Sequence, residues 1–148
     1  MTPKQRAEKS TRAMWADDKA SQWLGMTIAE VDEGLAVLTL DVGPHHCNGH
    51  GICHGGITFS LADSAFAFAC NSRNQSTVAQ HNFISYLAPA HLGDVLSAVA
   101  REVSLTGRNG IYDVTVSNQN ETLIAQFRGI SRAINGHLFE EQSEEKKT

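Results

Sequence analysis

Asp63 is the only formally charged residue between Asp41 and Arg73. It lies in a run of apolar and small residues, HGGITFSLADSAFAFACNS, that extends from His54 to Ser72. An ionised carboxylate that leaves water must be paired, locally solvated or neutralised by a shift of its pKa. Asp63 is therefore a candidate general base or nucleophile, and an aspartate bonded to serines or backbone at a subunit contact is the alternative.

His54, Gly55 and Gly56 stand immediately before the apolar part of this run. If that part is a helix, the N–H groups of its first turn lack intrahelical partners and favour negative charge. Glycine lets a ligand approach the backbone closely, and such donors could polarise a carbonyl and hold the oxyanion formed when it is attacked. The alternative is a tight turn between loop and helix with no chemical role.

Asp63 follows Gly55 by eight residues, which is about 12 Å along an α-helix. Its side chain therefore cannot readily reach a carbonyl that is held at Gly55 of the same chain. We predict that the pair is completed across a dimer interface, where antiparallel helices bring Asp63 of one subunit near Gly55 of the other. Ser60, Ser64 and Ala67 share the helical face of Asp63 and add a mildly polar stripe.

The hydrophobic pattern predicts the elements that position these residues. It favours an N-terminal helix from about Lys4 to Leu24, stopped by Gly25, and a long central helix from about Gly55 to Asn71. Alternation predicts a hairpin from about Thr27 to Val42 that turns at 32–34, and four further strands with turns at 107–110 and 118–120. Those four strands are Thr77 to Leu87, Val95 to Ser104, Ile111 to Ser117 and Leu123 to Ile134.

The central helix carries apolar residues nearly all round and so needs a concave partner. The last three strands should form an antiparallel meander, and one central helix with about six strands implies an α+β domain in which a curved sheet wraps the helix. We predict a single domain over residues 1–148, with a solvated tail over about 140–148.

The segment from Asn48 to Ser72, NGHGICHGGITFSLADSAFAFACNS, strongly resembles the corresponding segment of hotdog-fold acyl-CoA thioesterases, in particular the phenylacetate-degradation (PaaI) group. The stretches WLGM, VDEGLAVLTL, YLAPAHLGD, GRNGIYDV and FRGISR extend the similarity over almost the whole chain. The resemblance implies a hotdog fold, in which an antiparallel sheet wraps a long helix. It also implies a homodimer at minimum, and commonly a homotetramer built as a dimer of dimers.

The same resemblance implies roles for individual residues. Asp63 would be the catalytic carboxylate, the Gly55 N–H would bind the thioester carbonyl, His54 would shape the loop, and Asn48 would stand near the reacting carbonyl or water. The substrate would be phenylacetyl-CoA or a ring-hydroxylated derivative, with no cofactor beyond the coenzyme A of the substrate. Whether Asp63 activates water or attacks the thioester to form an anhydride stays open.

Two positions depart from the family pattern. Ala67 stands where some relatives have a hydroxyl, and Ala88 stands where others have a basic residue. Other cations must then bind the coenzyme A phosphates, and the candidates are Arg73, Arg108 and Arg132. The alternative for each arginine is a solvated surface charge. The residues expected to contact substrate are Gly56, Phe59, Ser64, His81, Arg73, Arg108 and Arg132.

A metal-dependent hydrolase is one alternative function. The loop holds six possible ligands, His45, His46, Cys47, His50, Cys53 and His54, but it has no C-x-x-C pair and its glycines disfavour a regular helix. We therefore predict no metal site.

A non-catalytic acyl-CoA-binding hotdog protein is the second alternative, and a hydratase of the same fold is a third. Hydratases of this architecture typically need a histidine in the helix segment, and no histidine lies between Gly55 and Gln80. Hydrolysis therefore fits the sequence better.

Bulk properties narrow the remaining classes. A net charge of −4 gives no electrostatic footprint for DNA or RNA. The N-terminus lacks the apolar core of a signal peptide, and no apolar run reaches membrane-spanning length. We expect a soluble, cytoplasmic protein with no nucleic-acid or membrane partner, whose three cysteines stay reduced.

Overall fold

The computed structural model describes residues 1–142. Helix α1 spans Pro3–Asp17 and helix α2 spans Lys19–Leu24, so the prediction of one continuous N-terminal helix is wrong at Asp18. Asp18 has non-helical angles, and its Oδ1 accepts the Ser21 N–H over 3.0 Å, which starts a new helix. Asp is a favoured N-cap residue, so a polar side chain at this position can break the helix in two. Gly25 ends α2 with a φ of +86°, as expected.

The predicted hairpin is confirmed, with strand β1 at Thr27–Asp32 and strand β2 at Leu35–Asp41. A short 3₁₀ helix at Pro44–His46 then leads into the glycine-rich loop. The central helix and the four later strands are also confirmed, with small changes at their ends. They are helix α3 at Gly55–Cys70 and strands β3 at Thr77–Tyr86, β4 at Val95–Thr106, β5 at Asn109–Ser117 and β6 at Leu123–Ala133.

The six strands form one antiparallel sheet in the order β1-β2-β4-β5-β6-β3, so the predicted meander β4-β5-β6 is confirmed. The turn predicted over 107–110 is shorter than expected, because Thr106 and Asn109 already pair with each other. The sheet wraps α3, which contacts β2, β4, β5, β3 and β6. The predicted α+β architecture is therefore confirmed.

Apolar side chains from α3 and from the concave face of the sheet form the core. Gly129 of β6 allows the closest approach, since a Cβ atom there would lie 2.6–2.7 Å from the ring of Phe66 on α3. Phe66 in turn packs against Tyr112 and Phe127 with ring centroids 5.6 and 5.9 Å apart. This packing sets the position of α3, and so of Asp63, relative to the sheet.

Strand β3 lies at one edge of the sheet, paired with β6 on one side only among residues 1–142. Its residues alternate between the two faces, and Asn82, Ile84 and Tyr86 face α3. On the opposite face Phe83 is 73% exposed. An edge strand with exposed apolar side chains is available for pairing with another chain.

The predicted solvated tail over about 140–148 lies mostly outside the described residues. Within them, residues 140–142 are exposed, and Glu141 pairs with Arg6 of α1. None of the helices described for residues 1–142 is long and apolar enough to span a membrane.

Candidate active site

His54 is the N-cap of α3 and orients the start of that helix. Its Nδ1 accepts the Gly56 N–H over 2.8 Å, and its own N–H donates to the His46 carbonyl over 2.8 Å. The N–H of Gly55 has no acceptor among residues 1–142. One donor at the positive end of α3 is therefore left available for a ligand, which is a favourable position for a carbonyl oxygen that gains negative charge.

Asn48 supplies a second available donor. Its Oδ1 accepts the backbone N–H groups of His50, over 2.9 Å, and of Ile52, over 3.4 Å. The amide oxygen is thus hydrogen-bonded within the loop, and Nδ2 points away from these N–H groups. Nδ2 has no acceptor among residues 1–142. The loop thereby orients the amide before any ligand binds.

The Asn48 and Gly55 donors belong to one pocket of about 330 Å³. That volume lies at the lower end of the range typical of small-molecule sites. The rest of the wall is mainly apolar: Ile52, Cys53, Thr58, Tyr86, Leu87, Ala88, Pro89, Ala90 and Ile124. A carbonyl group attached to an apolar substituent matches this combination.

Tyr86 ties the start of α3 to the edge strand. Its hydroxyl donates to the Gly55 carbonyl over 2.9 Å. A Cβ atom on Gly55 would lie 3.2–3.3 Å from the Tyr86 side chain, closer than ordinary van der Waals contact. Close approach by Tyr86 therefore favours glycine at position 55, because a larger residue would force the Tyr86 ring to shift.

Asp63 is half-buried, and the Nδ2 of Asn82 on β3 donates to its Oδ1 over 2.9 Å. Burial raises the pKa of Asp63, the Asn82 hydrogen bond acts in the opposite direction, and the nearby negative charge of Asp18 adds to the increase. A carboxylate with a raised pKa is a stronger base. Within residues 1–142, the Oδ1 of Asn82 is buried without a hydrogen-bond partner.

Asp63 does not line the pocket that contains Gly55. Asn82 contacts Asp63, and Tyr86 contacts Gly55. The two strand residues are four positions apart on β3, about 13 Å of extended strand, and the two helix residues are about 12 Å apart along α3. The strand and the helix therefore give the same separation between Asp63 and Gly55. In one chain the Asp63 carboxylate and the available Gly55 N–H therefore lie at two different places along α3.

Comparisons with known proteins bear on this geometry. The model of a protein family described as the thioesterase superfamily matches residues 50–125, which is just over half of the 148-residue chain and includes Gly55, Asp63, Asn82 and Tyr86. The chain belongs to the thioesterase superfamily.

A curated relative from Escherichia coli (strain K12), acyl-coenzyme A thioesterase PaaI, is 41% identical over 133 residues, covering 90% of this chain and 95% of the relative. The solved structure of the E. coli PaaI protein from the phenylacetic acid degradation operon superposes with a TM-score of 0.90. It has 40% identity and covers 92% of this chain and 99% of that one. The Streptococcus mutans protein smu.793, solved bound to acetyl-CoA, has a TM-score of 0.74, 26% identity and coverage of 76% and 91%. These matches confirm the predicted resemblance and the hotdog fold.

In this member of the thioesterase superfamily, Ser64 is occupied by an intramolecular contact. Its Oγ lies 2.8 Å from the Ser21 Oγ, and Ser21 donates to Asp18 Oδ2 over 2.7 Å. The Ser64 hydroxyl thus bonds to α2, which argues against the substrate contact predicted for it. The sequence could not indicate this, because α2 packs on α3 only in the folded chain.

The other predicted substrate contacts are divided between core and surface. Phe59 packs edge-on against Phe127 in the core with ring centroids 5.6 Å apart, and His81 is exposed beside an irregularity in the β3–β6 pairing. The Gly56 N–H is taken by His54. None of these three residues lines the Gly55 pocket, so their roles stay predictions that the monomer geometry does not favour.

The three arginines have different environments. Arg73 binds Glu102, with Nη2 to Oε2 at 3.0 Å, and pairs with Glu33 at 3.1 Å. Its guanidinium is therefore engaged inside the protein, which argues against a role on substrate phosphates. Arg108 and Arg132 are exposed and lie at the same end of the β5–β6 pair. There the N–H of Ala133 donates to the carbonyl of Arg108.

Two of the loop histidines, His46 and His54, are used structurally. His46 Nδ1 accepts the Gly43 N–H over 2.9 Å, and its Nε2 lies 2.7 Å from the Leu24 carbonyl, so both ring nitrogens have partners. In the part of the chain that the structure describes, no three His, Cys, Asp or Glu side chains are grouped to hold a metal ion.

Asn82 is the residue of the site that the sequence analysis missed. The available signal was the alternation of β3: Asn82 has the same parity as Ile84, which faces the core. A polar residue at an inward position of a strand needs a polar partner. Asp63 is that partner.

Proposed function

We propose that this chain is an acyl-CoA thioesterase that hydrolyses phenylacetyl-CoA, or ring-hydroxylated phenylacetyl-CoA, to the free acid and coenzyme A. The observation that carries the proposal is the pair of unoccupied donors, Gly55 N–H and Asn48 Nδ2, in one apolar pocket. The E. coli relative is named an acyl-coenzyme A thioesterase, and the S. mutans structure holds acetyl-CoA. Both support an acyl-CoA substrate.

In the proposed reaction the thioester oxygen accepts hydrogen bonds from Gly55 and Asn48. These donors are oriented by the helix cap and the loop, so they stabilise the developing oxyanion without reorganising. The apolar wall of the pocket accommodates the arylacetyl group. Coenzyme A enters as part of the substrate, and no other cofactor is proposed.

Asp63 is proposed to act as the ionised carboxylate, either by deprotonating a water molecule or by attacking the thioester carbon. In the first route, water oxygen bonds to the carbonyl carbon, and the carbon–sulfur bond breaks as the thiol leaves with a proton. In the second route, an Asp63 oxygen bonds to the carbonyl carbon, the carbon–sulfur bond breaks, and coenzyme A leaves and takes up a proton; water then hydrolyses the resulting anhydride to the free acid and Asp63. Asn82 holds one carboxylate oxygen and leaves the other for chemistry.

The carboxylate is proposed to reach the pocket of a partner subunit through β3. If two copies of β3 pair antiparallel about Ile84, Asn82 lies opposite Tyr86 of the partner subunit, because the two positions are equally distant from residue 84. Within each subunit, Asn82 is hydrogen-bonded to Asp63 and Tyr86 is hydrogen-bonded to Gly55. This register therefore places each Asp63 beside the other subunit's Gly55. A homodimer with two shared sites is the minimum assembly, and a homotetramer of two such dimers is the proposed full one.

Release of free thiol from a panel of coenzyme A thioesters tests the function. Phenylacetyl-CoA and its hydroxylated derivatives are expected to give the highest kcat/KM, above benzoyl-CoA and hexanoyl-CoA. Preference for hexanoyl-CoA would contradict the substrate class. Tight binding of acyl-CoA without thiol release would instead identify a non-catalytic binding protein, and loss of activity on chelation would identify a metal-dependent hydrolase.

The variant Asp63→Asn tests the catalytic assignment and is expected to lower kcat by about 10²–10⁴-fold. Its folding can be checked separately. Burial raises the pKa of the native Asp63 above the unfolded value, so the ionised group destabilises the native state once the pH rises through the native pKa. The neutral variant should therefore melt no lower than wild type at pH 7. Near-normal turnover by a folded Asp63→Asn protein would refute the role of Asp63.

Mixing two inactive variants tests the shared site. Heterodimers of Asp63→Asn and Gly55→Ala chains contain one site with both residues intact, so coexpression should restore about a quarter of wild-type activity for random pairing. Each variant alone serves as the control. If both residues acted within one subunit, no heterodimer would hold an intact site and activity would stay at the level of the single variants.

A further inference from the structure

Cys47 and Cys53 face each other across the base of the glycine-rich loop. They form an isolated antiparallel bridge, flanked by hydrogen bonds from Asn48 N to Ile52 O and from His54 N to His46 O, both 2.8 Å. This pattern makes the two cysteines a non-hydrogen-bonded pair, the arrangement in which opposite Cα atoms lie about 4.5 Å apart and side chains are closest. That separation falls within the range of disulfide bonds, about 4.4–6.8 Å.

Both thiols are reduced, and their present contacts are weak. Cys47 Sγ lies 3.6 Å from the Gly43 carbonyl, and Cys53 Sγ lies 3.8 Å from Thr58 Oγ1. A thiol is a weak hydrogen-bond donor, so little free energy is lost when either sulfur turns toward the other. Cys70 is buried in the last turn of α3, at the opposite end of the helix from the loop, and is not a competing partner.

We propose that Cys47 and Cys53 form a reversible intramolecular disulfide when the protein is exposed to a peroxide. Cys47, as the thiolate, attacks one peroxide oxygen, the O–O bond breaks and the sulfenic acid forms, while the departing hydroxide takes up the proton that Cys47 released and becomes water. Cys53 then attacks the Cys47 sulfur, the S–O bond breaks, and the hydroxyl leaves as water with the Cys53 proton. Two thiols and one hydrogen peroxide give one disulfide and two waters, with two electrons passing to the peroxide.

The order of the two steps follows from the environment of each thiol. Cys47 is only partly buried and is the more accessible of the two thiols, whereas Cys53 is buried and only 7% exposed. Burial also raises the pKa of Cys53, which lowers its thiolate fraction. Cys47 is thus the thiol that is oxidised first, and Cys53 is the resolving thiol.

The disulfide would close the loop that carries Asn48. Cys53 itself lines the Gly55 pocket together with Asn48 and Ile52, so the bond would draw one wall atom of that pocket toward the base of the loop. This makes the cysteine pair a modification site next to the donor pair. The inference does not rest on the proposed function, because its readouts are chemical and not catalytic.

Peroxide treatment of the full-length protein, followed by alkylation and intact mass analysis, tests the proposal. Two of the three thiols should become unavailable, with a linked 47–53 peptide, and dithiothreitol should restore all three. Cys70→Ser is the matched control and should still form the link, whereas Cys47→Ser and Cys53→Ser should not. Three free thiols after treatment, a linkage that includes Cys70, or disulfides only between chains would overturn it. Circular dichroism of each variant checks that the fold is retained.

Discussion

Asn82 Nδ2 donates to Asp63 Oδ1 over 2.9 Å, and this contact joins the edge strand to the one carboxylate of the central helix. The bond holds one oxygen of Asp63 and partly offsets the effect of burial on its pKa. The edge strand therefore both orients the proposed catalytic group and adjusts its basicity.

Replacing Asn82 by Leu should shift the pH dependence of catalysis. The substitution removes the hydrogen bond that holds the pKa of Asp63 down while burial remains, so the pKa rises. Since Asp63 is proposed to act when ionised, the acidic limb of the kcat/KM profile should move to higher pH. At pH values below the midpoint of that limb, the variant should be about tenfold less active than wild type. Ser85→Ala, an exposed position on the same strand, should leave the limb in place. An unchanged limb in folded Asn82→Leu protein would contradict the coupling.

Adding a methyl group at Gly55 should impair the proposed carbonyl-binding donor. In Gly55→Ala the new Cβ would lie 3.2–3.3 Å from Tyr86, so ring and backbone must shift by tenths of an ångström. A misplacement of reacting groups by about 1 Å can cost about 10²-fold in rate, so we expect kcat to fall by up to about that factor. Gly49→Ala is the matched control, because a methyl group added at Gly49 would have nothing within 4 Å of it.

Tyr86→Phe separates the hydroxyl from the ring in the same experiment. It keeps the packing on Gly55 and removes only the hydrogen bond to the Gly55 carbonyl, so kcat should fall less than in Gly55→Ala. Equal activity of Gly55→Ala and Gly49→Ala would show that position 55 tolerates a side chain and would contradict the prediction.

The arginines should separate into a structural residue and phosphate-binding residues. Arg108→Ala and Arg132→Ala should each raise KM for phenylacetyl-CoA by about tenfold, the effect of one charge-assisted contact. Neither variant should change KM for the phosphate-free N-acetylcysteamine thioester. Equal effects on both substrates would exclude a phosphate role.

Arg73→Ala should lower stability instead of substrate affinity. It removes the partner of the half-buried Glu102, which also accepts the Tyr112 hydroxyl over 2.8 Å. We expect the free energy of unfolding to fall by about 1–2 kcal/mol in urea titrations, with KM unchanged. A raised KM for phenylacetyl-CoA alone would restore the role predicted for Arg73 from the sequence.

Gly129→Ala should destabilise the packing of α3 on the sheet. The added Cβ would lie 2.6–2.7 Å from the Phe66 ring in a filled core, and such overpacking typically costs about 1–3 kcal/mol. Urea denaturation measures the loss, and the double variant with Phe66→Leu should recover part of it by making room. A loss that Phe66→Leu does not relieve would indicate that the strain arises elsewhere.

The sequence by itself determined the elements and the candidates that lie within one element. Hydrophobic periodicity depends on neighbours along the chain, so it located α3 and the strands to within a few residues. Asp63 was identified because a lone carboxylate in an apolar helix is visible in composition. Its distance from Gly55 followed from the rise of the helix alone.

Only the tertiary structure decided which side chains meet. Asn82 and Asp63 are 19 residues apart, Ser21 and Ser64 are 43 apart, and Arg73 and Glu102 are 29 apart. Such contacts depend on the strand order and on the register of each pair, neither of which a local pattern contains. The helix break at Asp18 depends on a single side-chain cap. The sheet order placed β3 at the edge, and that position makes Asn82 and Tyr86 the proposed links between the central helix and a second subunit.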